Sequence, residues 1–290
     1  MLNRLSNKNK AILFLILSSF FFTIMNICVR MSGDLPVMEK SFFRNFVALI
    51  VAGIVLYKEK CPVLPNKKAL PALFVRAFFG TLGILGNFYA VDHLALADAT
   101  ILNKLSPFFV IIFSFFILSE KINKVQILGV AVAFVGSIFV IKPTGANADF
   151  MASIVGVVGG VCAGLAYTMV RVCSKKGAKG PQIVFFFSCF SCVFALPYII
   201  FNYSQMSLPQ FLTLIGAGAA AAMAQFCITA AYSNAPAREV SIYDYSQLIF
   251  AAVLGFLIFG NVPDIYSFIG YIIICGASAA MFFYNNRKTA

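Results

Sequence analysis

The sequence predicts an all-α polytopic membrane protein of ten transmembrane helices, built as two five-helix repeats, and three observations lead there. Of its 290 residues 61% are hydrophobic and only 11% charged, whereas soluble domains carry about 25% charged residues. Ten apolar segments, each close to the roughly 20 residues a bilayer requires, fall at 11–31, 36–57, 70–91, 96–118, 124–142, 151–173, 181–202, 208–233, 239–260 and 265–285. A shift of 141 positions then lays 96–129 on 237–270 without a gap, pairing Ile101 with Ile242, Phe109 with Phe250, Phe115 with Phe256, Ile117 with Ile258 and Gly129 with Gly270. The repeats are expected to span 1–145 and 146–290.

The segments follow in order. The start MLNRLSNKNK precedes an apolar run over 11–29 that exceeds a signal-peptide core and has no small-residue cleavage site, so it reads as an uncleaved first helix. Arg30-Met31-Ser32-Gly33 makes a tight turn, and Pro36 opens the second segment where its missing N–H costs nothing. That segment carries Glu39 and Arg44; the third carries Arg76 and then Gly80, Gly83 and Gly86. The fourth holds Asn103, Lys104 and Ser106 ahead of an apolar run closed by Glu120 and Lys121. Gly156, Gly159, Gly160 and Gly164 in the sixth segment, and the alanine-rich 217–222 in the eighth, allow close helix contact. In the seventh, Cys189 and Cys192 have CxxC spacing but sit in an apolar helix without the turn or second ligand pair of a redox or zinc site. The ninth repeats the polar pattern of the fourth: Thr100, Asn103 and Ser106 fall on Ser241, Asp244 and Gln247.

The formal net charge of +12 is distributed by loop rather than by face. Sixteen of the 22 Lys and Arg residues, among them Lys58, Lys60, Lys67, Lys68, Lys175, Lys176, Lys179 and Arg238, gather at alternate loops and the termini. The opposite loops hold only Arg30, Lys40 and Lys142. This is the positive-inside bias, which places both termini in the cytoplasm and argues against nucleic acid as a partner.

The stretch RAFFGTLGILGNFYAVDHLALADATILNKLSPFFVIIFSFFILSEK, with Gly129 and Gly136 behind it, resembles the EamA family of the drug/metabolite transporter superfamily. The resembling features are an arginine before a glycine-rich helix, the Tyr89-Ala90 pair, an Ala-Asp-Ala-Thr helix start, a mid-helix Ser-Pro and a Glu-Lys stop; AAYSNAPAREVSIYDYSQLIFAAVLGFLIFGNVPD looks like the same module. Asn261 stands where the family often has the glutamate seen here as Glu120. The resemblance covers essentially the whole chain. It implies two inverted five-helix repeats, a central cavity lined mainly by helices 1 to 4 and 6 to 9, and peripheral helices 5 and 10. The loop charges agree, because an odd number of helices per repeat turns the second copy over. It also implies a substrate among amino acids, organic acids, nucleotide-like compounds or drugs.

Ionisable groups inside a bilayer cost roughly 2.5 to 3.5 kcal/mol each on insertion scales, so they pair or line a wet cavity. Five are candidates: Glu39, Arg44, Arg76, Lys104 and Asp244. Glu39 and Arg76 lie within about two turns of a segment end, where long side chains reach water by snorkelling. Arg44 and Lys104, about 10 Å inside the outer boundary at 1.5 Å per residue, are the expected substrate-facing cations. Asp244 either binds a substrate amine, pairs with Lys104 across the cavity or takes up a coupling proton; Glu39 is the second coupling candidate. Asn26, Asn87, Asn103, Tyr167, Gln225, Tyr245 and Gln247 complete the candidate substrate-binding set, each equally able to form an interhelical hydrogen bond. His93, beside Asp92 in an outer turn, reads as a solvated loop residue. The chain shows no catalytic set, metal cluster or nucleotide-binding glycine loop, and no cofactor is expected.

These residues suggest a secondary-active transporter of a small polar metabolite, anionic or zwitterionic, such as an amino acid or organic acid, working by alternating access. Membrane cations outnumber acids three to two, which suits either charge class. An exporter of cationic or lipophilic drug-like compounds is the alternative within the class. From other classes, an intramembrane enzyme needs a convergent acid/base or metal set, and a channel normally shows a polar stripe open at both ends. The expected setting is the inner cell membrane, with the lipid bilayer and a small molecule as partners; proton coupling, exchange, monomer and homodimer all stay open.

Overall fold

The computed structural model describes residues 7–119, 122–141, 150–234 and 241–287. Its helices are α1 (Asn7–Met31), α2 (Val37–Lys58), α3 (Leu70–His93), α4 (Leu96–Asn103), α5 (Ser106–Leu118), α6 (Lys124–Ile141), α7 (Phe150–Lys175), α8 (Gly180–Asn202), α9 (Leu208–Asn234), α10 (Ser246–Phe259) and α11 (Ile265–Arg287). A 3-10 turn over Ser241–Tyr245 leads into α10. Nine spans among the described residues are long and apolar enough to cross a bilayer, counting α4 and α5 as one, and Tyr243–Phe259 is a shorter tenth. The ten-helix fold is therefore present. Glu120, Lys121, Lys142 and Arg238 lie outside the described residues.

The fourth span is broken near its polar cluster, and the ninth changes helix type at its own. In the fourth, Pro107 sits at the start of α5 and has no N–H to return to the Asn103 carbonyl, so the helix stops at Asn103 and restarts at Ser106. The ninth has Leu248 where proline would stand, and it reaches the same place by tightening to a 3-10 turn before α10. Both spans also end alike: Ser119 closes α5 and Gly260 closes α10, each in the left-handed region at φ 54° and 67°.

Packing runs between the repeats more than within them. The broadest contacts join α3 to α7 and α1 to α9, followed by α6 to α11 and α2 to α8. Shifting by one repeat turns the α3–α7 contact into α9–α1, and turns α2–α9 into α8–α3. The α2–α8 and α6–α11 contacts map onto themselves, so they lie across the pseudo-twofold axis. Side chains on the outer face of α6, such as Ile127, Leu128, Val135 and Ile138, remain exposed in the peripheral α6–α11 pair, as a lipid-facing surface requires.

One expectation is corrected. Lys40 is not a loop residue: it sits in the first turn of α2, 1% exposed, with Nζ donating to both Asp92 oxygens at 2.7 Å. The ion pair ties α2 to the end of α3 and explains how a lysine is buried there.

Candidate functional site

The break in the fourth span meets the 3-10 turn of the ninth. With the Pro107 kink, the Lys104 carbonyl oxygen accepts a hydrogen bond from the Tyr245 hydroxyl at 2.9 Å, and these two residues are repeat images of each other. Lys104 Nζ in turn stands 2.6 Å from Asp244 Oδ2, with both side chains about 5% exposed or less. Asp244 also accepts from the Ser19 hydroxyl, on its backbone oxygen at 3.1 Å and on Oδ1 at 3.4 Å. A buried lysine and a buried aspartate thus satisfy one another, one from each repeat. The glycines of α7 admit this knot: a Cβ on Gly160 would lie 2.9 Å from the Leu102 carbonyl oxygen, and one on Gly164 2.9 Å from that of Ser106.

Beside the knot lies a cavity of about 70 Å³, bounded by α1, α2, α3, α7, α8, α9, the break in the fourth span and the start of the ninth. Such a volume admits a few water molecules. Asn26, Arg44, Asn87, Asn103, Lys104, Tyr167, Gln225, Asp244 and Gln247 all line it. Asn87 Nδ2 donates to Asn26 Oδ1 at 3.2 Å, which joins α1 and α3 across the wall. Two candidates lie elsewhere. Tyr245 stands behind the wall, its ring edge-on to Phe108 and its hydroxyl spent on Lys104. Glu39 is buried at the opening of α2, where Oε1 accepts from the Ser204 amide at 2.6 Å and Oε2 has no partner. His93 is exposed at the end of α3, its ring stacked on Tyr89 and its Nδ1 2.8 Å from the Tyr89 carbonyl oxygen.

Arg76 belongs to the cavity although its position near a segment end suggested snorkelling. It is 3% exposed, lines the wall and places its guanidinium 4.1 Å from the Phe187 ring centroid. Arg44, 2% exposed, sits over the same ring at 5.6 Å. The signal in the sequence was Gly80, one turn after Arg76: a Cβ there would collide with the Arg76 guanidinium, so the glycine opens the space that lets the arginine fold along its own helix. Phe187, in the featureless FFFSCF run of α8, carried no such signal. The cavity therefore has three cations, Arg44, Arg76 and Lys104, and one acid, Asp244. Among the described residues no group of His, Cys, Asp and Glu is arranged to hold a metal ion.

Comparison with known proteins agrees with this architecture. The EamA-like transporter family matches the chain twice, over residues 9–142 and 151–283. The chain is 30% identical over 272 residues to the pseudopaline exporter CntI of Pseudomonas aeruginosa strain UCBPP-PA14, covering 93% of this chain and 95% of that protein. It is 26% identical over 266 residues to solute carrier family 35 member G1 of Mus musculus, covering 86% of this chain and 71% of that one. A solved crystal structure shares the fold, with a TM-score of 0.71 at 14% identity over 98% of this chain and 100% of the other. Two five-helix halves interlocked around a charged cavity, matched twice by one family over nearly their whole length, place the chain in the EamA-like transporter family of the drug/metabolite transporter superfamily.

Proposed function

We propose that this membrane transporter is a secondary-active carrier that moves a small anionic or zwitterionic metabolite by alternating access of its two repeats. The observation that carries the reading is the Lys104–Asp244 pair, which joins one charge from each repeat inside a cavity that both repeats line. Any motion that parts the repeats at this crossing must break that pair, and a buried charge left alone is costly. A zwitterionic solute offers a replacement for each partner; an anionic one replaces Asp244 at Lys104 while Asp244 takes up a proton. The small cavity volume fits this cycle, since a metabolite enters only when helices separate. The cavity's three cations to one acid weigh against a cationic drug as the principal substrate.

Export is the direction supported by the Pseudomonas aeruginosa relative, which is named an exporter. Loop charges support an inner-membrane orientation with both termini cytoplasmic. Counterflow in proteoliposomes with a panel of amino and organic acids tests the proposal. The expected result is saturable exchange of labelled against unlabelled solute, without chemical change. Simple equilibration would identify a channel, and conversion of the solute an enzyme.

A further inference from the structure

We infer that Arg44, Phe187 and Arg76 form a subsite for two carboxylates carried on one solute, which deepens and rests on the carrier reading above. Lys104 and Asp244 neutralise each other, so the remaining charges of the cavity are two guanidiniums of like sign. Both are almost fully buried, and both stand within 6 Å of a single ring centroid. Neither has a carboxylate within ion-pair range among the described residues. Arg44 donates to the neighbouring Asn45 side chain, and the Nε of each arginine has no hydrogen-bond partner. Two adjacent cations brought out of water without counter-charges are unfavourable in the empty protein. The cost is removed when two negative groups arrive.

The geometry also fits this class. Guanidinium forks match carboxylates in bidentate fashion, and both guanidiniums lie over the Phe187 ring, 5.6 Å and 4.1 Å from its centroid. The arginines come from two helices, α2 and α3, so they present two separate forks rather than one concentrated cradle. A solute with two carboxylates spans them, and an amine on the same solute has Asp244 in the lining of the same cavity.

The test is thermal unfolding of the wild-type protein in nanodiscs, titrated at constant ionic strength with succinate, propionate, alanine and inorganic phosphate. Succinate is expected to half-saturate at a concentration at least about tenfold below propionate or alanine, and Arg76→Gln is expected to bring that ratio toward one. Equal effects of succinate and propionate on the wild type, or no stabilisation by succinate, would overturn the proposal. Phosphate acting more strongly than succinate would also overturn it, assigning the wall to a phosphate group. The probe comparison needs only the wild type, so it stands even if Arg76→Gln fails to fold. Binding of succinate by a protein that exchanges no solute would sink the carrier reading and leave the subsite; counterflow confined to monocarboxylate zwitterions would do the reverse.

Discussion

The α3–α7 and α1–α9 contacts are images of each other under the repeat, yet they are made from different materials. On the first, a Cβ added to Gly159 would lie 3.3 Å from the Gly83 carbonyl oxygen, so the two backbones touch without side chains. On the second, Gly159 is replaced by Ser18 and Gly83 by Ala224, and the Ser18 hydroxyl donates to the Ala224 carbonyl oxygen at 3.0 Å. One contact point, made once by bare backbone and once by a hydrogen bond, shows what duplication preserves. It preserves where helices cross, while the chemistry at each crossing is free to diverge. The central knot follows the same rule: Asn103 and Lys104 in one repeat correspond to Asp244 and Tyr245 in the other, and only that divergence creates an ion pair.

The largest expected effect breaks the divergence at the knot. Lys104→Met leaves Asp244 buried without its partner and should destabilise the protein by about 3 to 5 kcal/mol in denaturant unfolding in detergent. Adding Asp244→Asn, which makes the position match Asn103, should restore much of the loss. If the single variant unfolds like the wild type, the pair contributes nothing in the resting state.

The next effect separates the two crossings. A Cβ on Gly86 would stand 2.9 Å from both the Gly159 Cα and the Val155 carbonyl oxygen, so Gly86→Ala should cost about 1 to 3 kcal/mol by forcing α3 away from α7. The image position already holds Cys227 in α9. Ser18→Ala, which removes a hydrogen bond but no backbone contact, should cost only about 0.6 kcal/mol, the usual size for such bonds in membrane proteins. Equal costs for the two would mean that the crossings are held alike after all.

The smallest effect sharpens the comparison of the two left-handed helix ends. Ser119 holds φ 54° with a side chain, whereas Gly260 holds φ 67° without one. Ser119→Gly, bringing the first end into line with the second, should stabilise the protein by about 1 kcal/mol, the cost of that conformation for an L-residue. Unchanged stability would place compensating contacts around Ser119.

The fold was legible because a bilayer imposes segment length, which is a one-dimensional pattern. Arg44, Lys104 and Asp244 were legible as candidates because ionisable groups are rare in such segments. The Pro107 break could be suspected from a mid-helix Ser-Pro, but the 3-10 turn before Ser246 could not, since Leu248 gives no sign that the backbone tightens there. Lys40 was misplaced because its partner, Asp92, lies in another turn and no local spacing links them. Arg76 and Phe187 depend on α3 and α8 presenting faces to one another, which is tertiary information.

Because the broadest contacts run between halves, the first five helices cannot complete their own burial as they leave the ribosome. The glycine face of α3 waits for α7, and the serine face of α1 waits for α9, the eighth span to be inserted. Until then that face of α1 lacks the helix it is buried against in the finished fold. A chain stalled after its first half therefore offers quality-control proteases an unfinished helix surface rather than a folded domain.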